Sequence, residues 1–418
     1  MRSRMGCRSA WAAIVTSVCW LSPGAAAAQV LRLSLPDALA RVPQRAPEVV
    51  LADSTVLEVQ ARRAGAGILL PTNPRLSLDV RPPFSGAGLG EVGYSAMLDA
   101  TFDLGGAPSA RLREVERDVE LARAQRNIVY VGARLRVVAA YLGVQMAELR
   151  MAEARTSIEL ARRVLDVAEK RIDAGAASDF EQVSAQLELS KIEVAEQAAL
   201  RERDEQLMAL REVLDVAAEQ ALELSTAIES PGALPVLSRY VKEAQRNHPE
   251  LIASQARLRS LQASRERLER ETFPRLGLYA GVDAAPKSPA FGVLGVTGEL
   301  PFAQRNQGPR AVVARATQSE HTRHELQERR IAREVTAAWT AHERRRAELD
   351  VLTRSALPAA QRAFELAEAG WRAGRFEWLR VALAARDLVQ VRAQRVEALS
   401  ALWTQRIVLA WARGGEVP

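Results

Sequence analysis

The chain has 418 residues, of which 48% are hydrophobic and 26% charged, with a formal net charge of +6. Three cations, Arg2, Arg4 and Arg8, precede any acidic residue; the remainder sits near +3, with both signs mixed along helices, which describes solvated faces and not a nucleic-acid surface. Both cysteines, Cys7 and Cys19, lie in the first 28 residues, so a disulfide framework and thiol chemistry are excluded from the rest.

Residues 1–28 have the layout of a secretory signal peptide. Arg2, Arg4 and Arg8 lead into an apolar run from Trp11 to Leu21, and Ala26-Ala27-Ala28 offers cleavage before Gln29. Thr16 and Val18 stand where a lipoprotein leader carries a Leu and a small residue before its Cys, so Cys19 is not expected to be lipidated. Beyond the leader there is no run of 18 apolar residues, and no transmembrane helix is expected. An exported chain of this kind is either soluble outside the cytoplasm or inserted in an outer membrane as strands.

The stretch from Asp37 to Leu70 reads as helix, interrupted at Pro43 and Pro47 and ending before Pro71 and Pro74. A β-hairpin follows over 76–104. Leu76, Leu78 and Val80, then Tyr94, Ala96, Leu98, Ala100 and Phe102, alternate with polar residues at the period of a strand with one apolar face. Next comes a long helix over 109–173, free of proline, roughly 100 Å at about 1.5 Å per residue. Its distal part repeats Ile158, Ala161, Leu165, Ala168 and Ile172 as a coiled-coil seam. Gly175 is placed as the C-cap and Ser178 as the N-cap of a return helix over 178–217, which carries Phe180, Val183 and Leu187 on one face.

The second half replays this order. Gln245 to Glu250 answers Gln44 to Glu48, Pro274-Arg275-Leu276 answers Pro74-Arg75-Leu76, and Ala373-Gly374 answers Ala174-Gly175. The order predicts a hairpin over 276–302, a long helix over 310–373 containing Pro358, and a return helix over 377–411. Matching blocks about 200 residues apart describe one duplicated unit, with repeats over 29–230 and 231–418. The fold class is therefore mainly α with a small transmembrane β part. Two shorter helices stacked end to end would match one long rod, making a tall wall with strands at one end and helix turns at the other.

Strands of this length suit a tilted bilayer crossing. Four strands cannot close a barrel, and an open edge in lipid leaves backbone groups unpaired at several kcal/mol each, so each chain should supply a share of an oligomeric barrel. Two soluble surface hairpins are the other reading of the same alternation.

Across essentially the whole mature chain the residues resemble the TolC family of outer-membrane efflux channels. The resemblance rests on the duplicated order of elements and on local blocks: Leu35-Pro36-Asp37-Ala38-Leu39 with Pro47-Glu48, Pro74-Arg75-Leu76, and Ala168-Glu169-Lys170-Arg171 with Ala174-Gly175. Asp103-Leu104-Gly105-Gly106, Leu300-Pro301-Phe302 and Arg305-Asn306-Gln307-Gly308 look like the CzcC-type cation-efflux branch. Ala107-Pro108 departs from it, since that branch tends to have Lys-Arg there.

The resemblance implies a homotrimer, with a shared 12-stranded β-barrel in outer-membrane lipid and a long periplasmic α-barrel. It also implies a periplasmic adaptor and an inner-membrane pump as partners, and passive conduction of substrates without enzymatic chemistry or cofactor. From sequence alone eight strands from a dimer would also close. Adaptor contact maps to the helix turns, here Arg171, Ala174, Gly175, Ser178, Arg372 and Gly374. Three-fold symmetry would turn Asp173, Asp179 and Glu377 at the same turns into carboxylate rings, as cation-preferring pores use; solvated turn residues favoured by helix dipoles are the alternative. By strand alternation Asp99, Thr101 and Glu299 would line the barrel lumen.

Two motifs do not join this scheme. Gly88-x-Gly90-x-x-Gly93 has dinucleotide-loop spacing but precedes a strand where that fingerprint opens a helix. His321 and His324 lie one turn apart near Glu325 and Glu328, a spacing shared by metal pairs and by exposed helix faces, and no metal site is assigned. No catalytic constellation is present. A soluble periplasmic coiled-coil scaffold or adaptor and a type I protein-secretion duct are the competing functions; an adaptor would carry a lipoyl-like β domain between its helices, and none is visible in the sequence.

Overall fold

Two prolines open equivalent helices in the two halves. In the first half, α1 (Leu35–Arg45) hands over to α2 (Pro47–Ala61) and the short α3 (Arg63–Ala66), followed by β2 (Arg75–Arg81), β3 (Gly93–Phe102), α4 (Ala107–Asp173) and α5 (Asp179–Leu214). In the second, α6 (Leu237–Asn247) precedes α7 (Pro249–Arg270), β5 (Arg275–Ala284), β6 (Phe291–Glu299), α8 (Gln307–Val351), α9 (Leu357–Arg372) and α10 (Trp378–Arg413). The computed structural model describes residues 31–82, 92–175, 178–218, 220–225, 231–285, 288–299 and 301–415, with Glu299 described in its backbone only. The leader at 1–28 and the glycines at 88 and 90 lie outside these residues.

Proline at N1 suits Pro47 and Pro249 because the first N–H of a helix has no intrahelical partner. Ser34 caps α1 by accepting from the Asp37 N–H at 3.2 Å. The long helices of both halves start from a left-handed residue, Gly106 at φ 77° and Asn306 at φ 56°. α4 then runs unbroken for 67 residues, about 100 Å.

Its counterpart does not. α8 and α9 are separated by a π-helical turn at Leu352–Ala356, where a single helix to residue 373 was expected. Pro358 supplies the reason: it has no N–H for the Arg354 carbonyl and its ring crowds the preceding turn, so the helix widens just before it.

Other boundaries also differ from the sequence reading. Pro43 lies inside α1 without ending it: it has no N–H for the Leu39 carbonyl, and α1 continues only two residues further, to Arg45. The first helical segment ends at Ala66, the return helix of the first half ends at Leu214 with Asp215 left-handed, and α10 continues to Arg413. Two three-residue strands were not anticipated: β1 (Leu31–Leu33) pairs in parallel with β4 (Leu222–Leu224).

The helices form a layer with a sequence of apolar seams. Near the β1–β4 pair, Leu33, Val42, Val49, Tyr141, Leu210 and Leu214 are buried together, and the Tyr141 hydroxyl donates to the Leu33 carbonyl at 3.2 Å. Tyr240, Ile331, Val335 and Leu409 form the equivalent core of the second half. This explains why one 18-residue window of α4 is apolar enough, at mean hydropathy 1.3, to pass for a membrane span: half of it is buried in the protein.

At the far end Leu160, Val164, Ala168, Phe364, Trp371, Trp378 and Val381 make a third core. The distal seam of α4 thus centres on Leu160, Val164 and Ala168, with Leu165 only partly buried. In the part of α5 nearest the turn the buried positions are Ala185 and Leu189, whereas Phe180, Val183 and Leu187 are exposed.

The four long strands form one antiparallel sheet in the order β2-β3-β5-β6. The central pairing, β3 with β5, joins the two repeats. β2 and β6 are the edges, and among the described residues of one chain nothing pairs with their outer sides.

Candidate functional site

Register sorts the sheet into two chemically distinct faces. Leu78 opposes Ala96, Ala96 opposes Val282, and Val282 opposes Gly292; one pair further along, Leu76, Leu98, Ala280 and Leu294 line up. With Val80, Tyr94, Leu278 and Val296 these residues make a continuous apolar face, and Leu78 is 70% and Leu294 85% exposed. An uncovered apolar surface of this extent marks contact with lipid or protein.

The other face is mainly polar, with Met97, Phe291 and Val293 as its apolar members. Arg75 opposes Asp99, and Asp99 opposes Tyr279. Thr101 opposes Gly277, which opposes Thr297; a Cβ at Gly277 would come within 2.2 Å of the Thr297 hydroxyl, so the glycine leaves room for that side chain. Glu299 opposes Arg275 on the same face. Near the opposite end Arg81 makes two 2.7 Å hydrogen bonds to the Asp283 carboxylate, and Ser95 donates to Asp79 at 3.3 Å. Asp99, Thr101 and Glu299, grouped by alternation, thus share one face.

Where sheet meets helices, a network absent from the sequence reading fixes the joint. Asp103 is buried and accepts from Arg111 Nη1 at 2.7 Å and Arg275 Nε at 3.0 Å. Arg111 also donates to the carbonyls of Ala66 and Ile68, and the Asp103 N–H to that of Leu69. Asp103 belongs to a block that carries the family resemblance and Arg275 to one that marks the internal repeat; an acid beside two glycines at a strand end was the available signal.

The opposite end of the molecule is formed by the two helix turns. Gly175 and Gly374 adopt left-handed φ of 68° and 70°, which lets each long helix reverse into its return helix. Asp173, Ala174, Gly175, Ser178, Asp179, Arg372, Gly374 and Glu377 are all exposed there. Ser178 and Glu377 occupy the N-cap positions of α5 and α10, but neither side chain makes a capping hydrogen bond. Arg372 pairs with Glu368 at 2.6 Å.

Arg171 differs from its neighbours. It turns inward, donating from Nη1 to the Trp371 carbonyl at 2.8 Å, with its guanidinium 5.3 Å from the centre of the Trp371 ring. Trp371 is fully buried, and Trp378 meets Phe180 edge to face at 6.4 Å. Arg380 stacks over Phe376 at 5.0 Å. This aromatic cluster is not legible in the sequence, because Trp371 and Trp378 meet Arg171 and Phe180 of the other repeat only in the folded chain.

The histidines are not assembled into a metal centre. His321 is exposed and His324 half-buried, and no group of three or more His, Cys, Asp or Glu with metal-holding geometry occurs among the described residues. His248 and His342 are buried, and burial pushes both imidazoles below their usual pKa. His248 Nδ1 accepts from the Glu250 N–H at 3.3 Å as the cap of α7, a structural use.

A sheet apolar on one side and polar on the other, set on a layer of helices roughly 100 Å long, defines the class as an outer-membrane channel with a periplasmic tunnel. The chain belongs to the outer membrane efflux protein family, whose sequence model matches residues 55–215 and 240–415. It is 29% identical over 301 residues, 71% of either chain, to the cobalt-zinc-cadmium resistance protein CzcC of Cupriavidus metallidurans. It is 26% identical over 266 residues, 63% of this chain and 59% of the relative, to the nickel-cobalt-cadmium resistance protein NccC of Alcaligenes xylosoxydans xylosoxydans. The crystal structure of CusC shares the fold at a TM-score of 0.76 and 17% identity, covering 93% of both chains.

Proposed function

We propose that three copies of this chain form the outer-membrane duct of a tripartite efflux system and passively conduct heavy-metal cations from the periplasm to the exterior. The observation that carries this reading is the two-faced sheet with two open edges. Three such sheets, edge to edge, give twelve strands, satisfy every ladder hydrogen bond, and set the apolar face against lipid. Three of the four strands, of 9 or 10 residues, rise about 30 to 33 Å, or about 21 to 23 Å along the membrane normal at a 45° tilt, close to the apolar band of such barrels.

In this assembly Asp99, Thr101 and Glu299 line the lumen. The outward apolar face of α5, with Phe180, Val183 and Leu187, is covered by the neighbouring copy. The exposed turn residues Ala174, Gly175, Ser178, Arg372 and Gly374 meet the periplasmic adaptor, which couples the duct to an inner-membrane pump, and Arg171 holds the turns closed from within. Asp173, Asp179 and Glu377 form carboxylate rings at the entrance, which favour cations. The metal cargo is supported by the relatives named for resistance to cobalt, zinc, cadmium and nickel.

The test is extraction of the mature protein from outer membranes, native mass determination and reconstitution in planar bilayers. A trimer that conducts and prefers cations supports the proposal; a soluble or non-conducting protein contradicts it.

A further inference from the structure

The outer end of the polar sheet face carries a charge arrangement that the helical end does not. β2 and β5 run away from the helices and end at Arg81 and Ala284, so Arg81 and Asp283 stand at the end of the sheet furthest from the tunnel. They belong to different repeats and are not on adjacent strands: β3 lies between them. Arg81 opposes Gly93 and Asp283 opposes Ser95. The guanidinium therefore crosses β3 between Gly93, which has no side chain, and the short Ser95, both buried, to reach a carboxylate about two strand spacings, or roughly 9.6 Å, away. It arrives with two 2.7 Å hydrogen bonds from one nitrogen, one to each carboxylate oxygen. Asp79 sits two residues before Arg81 on the same face and accepts from Ser95 at 3.3 Å.

We propose that Arg81, braced across β3 on Asp283, sets the ion selectivity of the outer mouth of the duct. This rests on the export-duct reading above and goes beyond it by naming the residue that titrates mouth charge. Among the described residues, each copy places two carboxylates, Asp79 and Asp283, against one guanidinium, leaving one net negative charge. Three copies make a ring of three net charges, each Arg81 being 57% exposed at its side chain and in reach of passing ions. Fixed charge around a pore concentrates counter-ions and excludes co-ions, so the ring is mildly cation-preferring, and Arg81 limits how strongly. Removing Arg81 doubles the net negative charge of the ring, whereas neutralising Asp283 brings it to zero and frees the cation.

The experiment is the reversal potential of single trimers in a planar bilayer under a KCl gradient. Relative to wild type, Arg81→Ala is expected to shift it towards the potassium equilibrium potential, and Asp283→Asn towards that of chloride. Arg81→Lys keeps the charge and stays near wild type. To separate the charge of Arg81 from its bracing of the sheet edge, the same position is also tested as Arg81→Cys in a chain lacking Cys7 and Cys19. One folded protein is then modified with a cationic or an anionic thiol reagent, and the cationic adduct should restore the wild-type value while the anionic adduct moves it beyond that of the unmodified channel. Conducting variants and adducts that all keep the wild-type reversal potential overturn this inference and leave the duct standing. A wild-type protein that does not conduct overturns both.

Discussion

Arg171 and Trp371, from opposite repeats, are joined twice: by a 2.8 Å hydrogen bond to the Trp371 carbonyl and by a guanidinium 5.3 Å from the centre of its indole ring. The contact ties the end of α4 to the end of α9 where the two helical hairpins turn. A charged hydrogen bond of this kind contributes about 1.5 to 3 kcal/mol, less where partly exposed as here.

Arg171→Ala should therefore favour parting of the two turns by roughly 1 to 2 kcal/mol, about tenfold in the open population. Single-channel recording is the measurement: conductance or open probability rises, and Arg171→Lys, which keeps a cation over the ring, lies between. A variant that stays as closed as wild type would show that the latch lies elsewhere.

Asp103 supports the joint between sheet and helices. Its side chain is 3% exposed and receives two arginines, so Asp103→Asn leaves Arg111 and Arg275 without their counter-charge. Breaking a buried pair costs about 3 to 5 kcal/mol, and the lower end applies because Arg275 is 39% exposed. Thermal dissociation in detergent should drop well below wild type, while Asp99→Asn on the same sheet, away from that network, should change it little.

Glycine positions separate packing from flexibility. A Cβ at Gly281 would lie 2.3 Å from the Ala96 backbone oxygen, which cannot swing aside. Gly281→Ala should strain the β3–β5 pairing between repeats by about 1 to 3 kcal/mol or more and reduce assembly. Gly308, in the first turn of α8, has nothing within 4 Å, so Gly308→Ala should be tolerated or stabilise by up to about 1 kcal/mol. Yield of assembled protein from membranes distinguishes the two.

His248 and His342 predict a pH dependence. Burial lowers both imidazole pKa values, so the folded protein binds fewer protons than the unfolded chain between the lowered value and about 6.5. Stability is then fully present above about pH 6.5 and is lost as pH falls towards the folded values. Melting temperature should decline from about pH 7 to about pH 5, and His342→Leu should flatten the decline. An unchanged slope in that variant would assign the dependence to carboxylates instead.

Much of this architecture was legible because its signals are local and periodic. Alternation over Leu76 to Val80 and Tyr94 to Phe102 marked strands with two unlike faces, and Gly175 and Gly374 marked the turns that require left-handed backbone. The π turn before Pro358 was not legible, since a lone proline in a long helix can kink, bulge or end it. Nor were β1 and β4, whose three-residue strands leave no period to read. The contacts of Asp103 with Arg275, Arg81 with Asp283 and Arg171 with Trp371 link positions far apart in sequence, and only the folded register brings them together. The outward face of α5 was seen as apolar but not as unpartnered, because one chain's sequence does not state which of its faces another copy covers.

The central claim is that the open sheet edges close on neighbouring copies. In a chain lacking Cys7 and Cys19, Leu78→Cys on β2 is combined in turn with a cysteine at Gly292, Leu294 or Val296 on β6, and cells are oxidised before extraction. Closure of three copies gives covalent ladders that stop at three protomers for at least one register, extracted from the outer membrane. Monomers alone in every register, or a ladder ending at two, would contradict it.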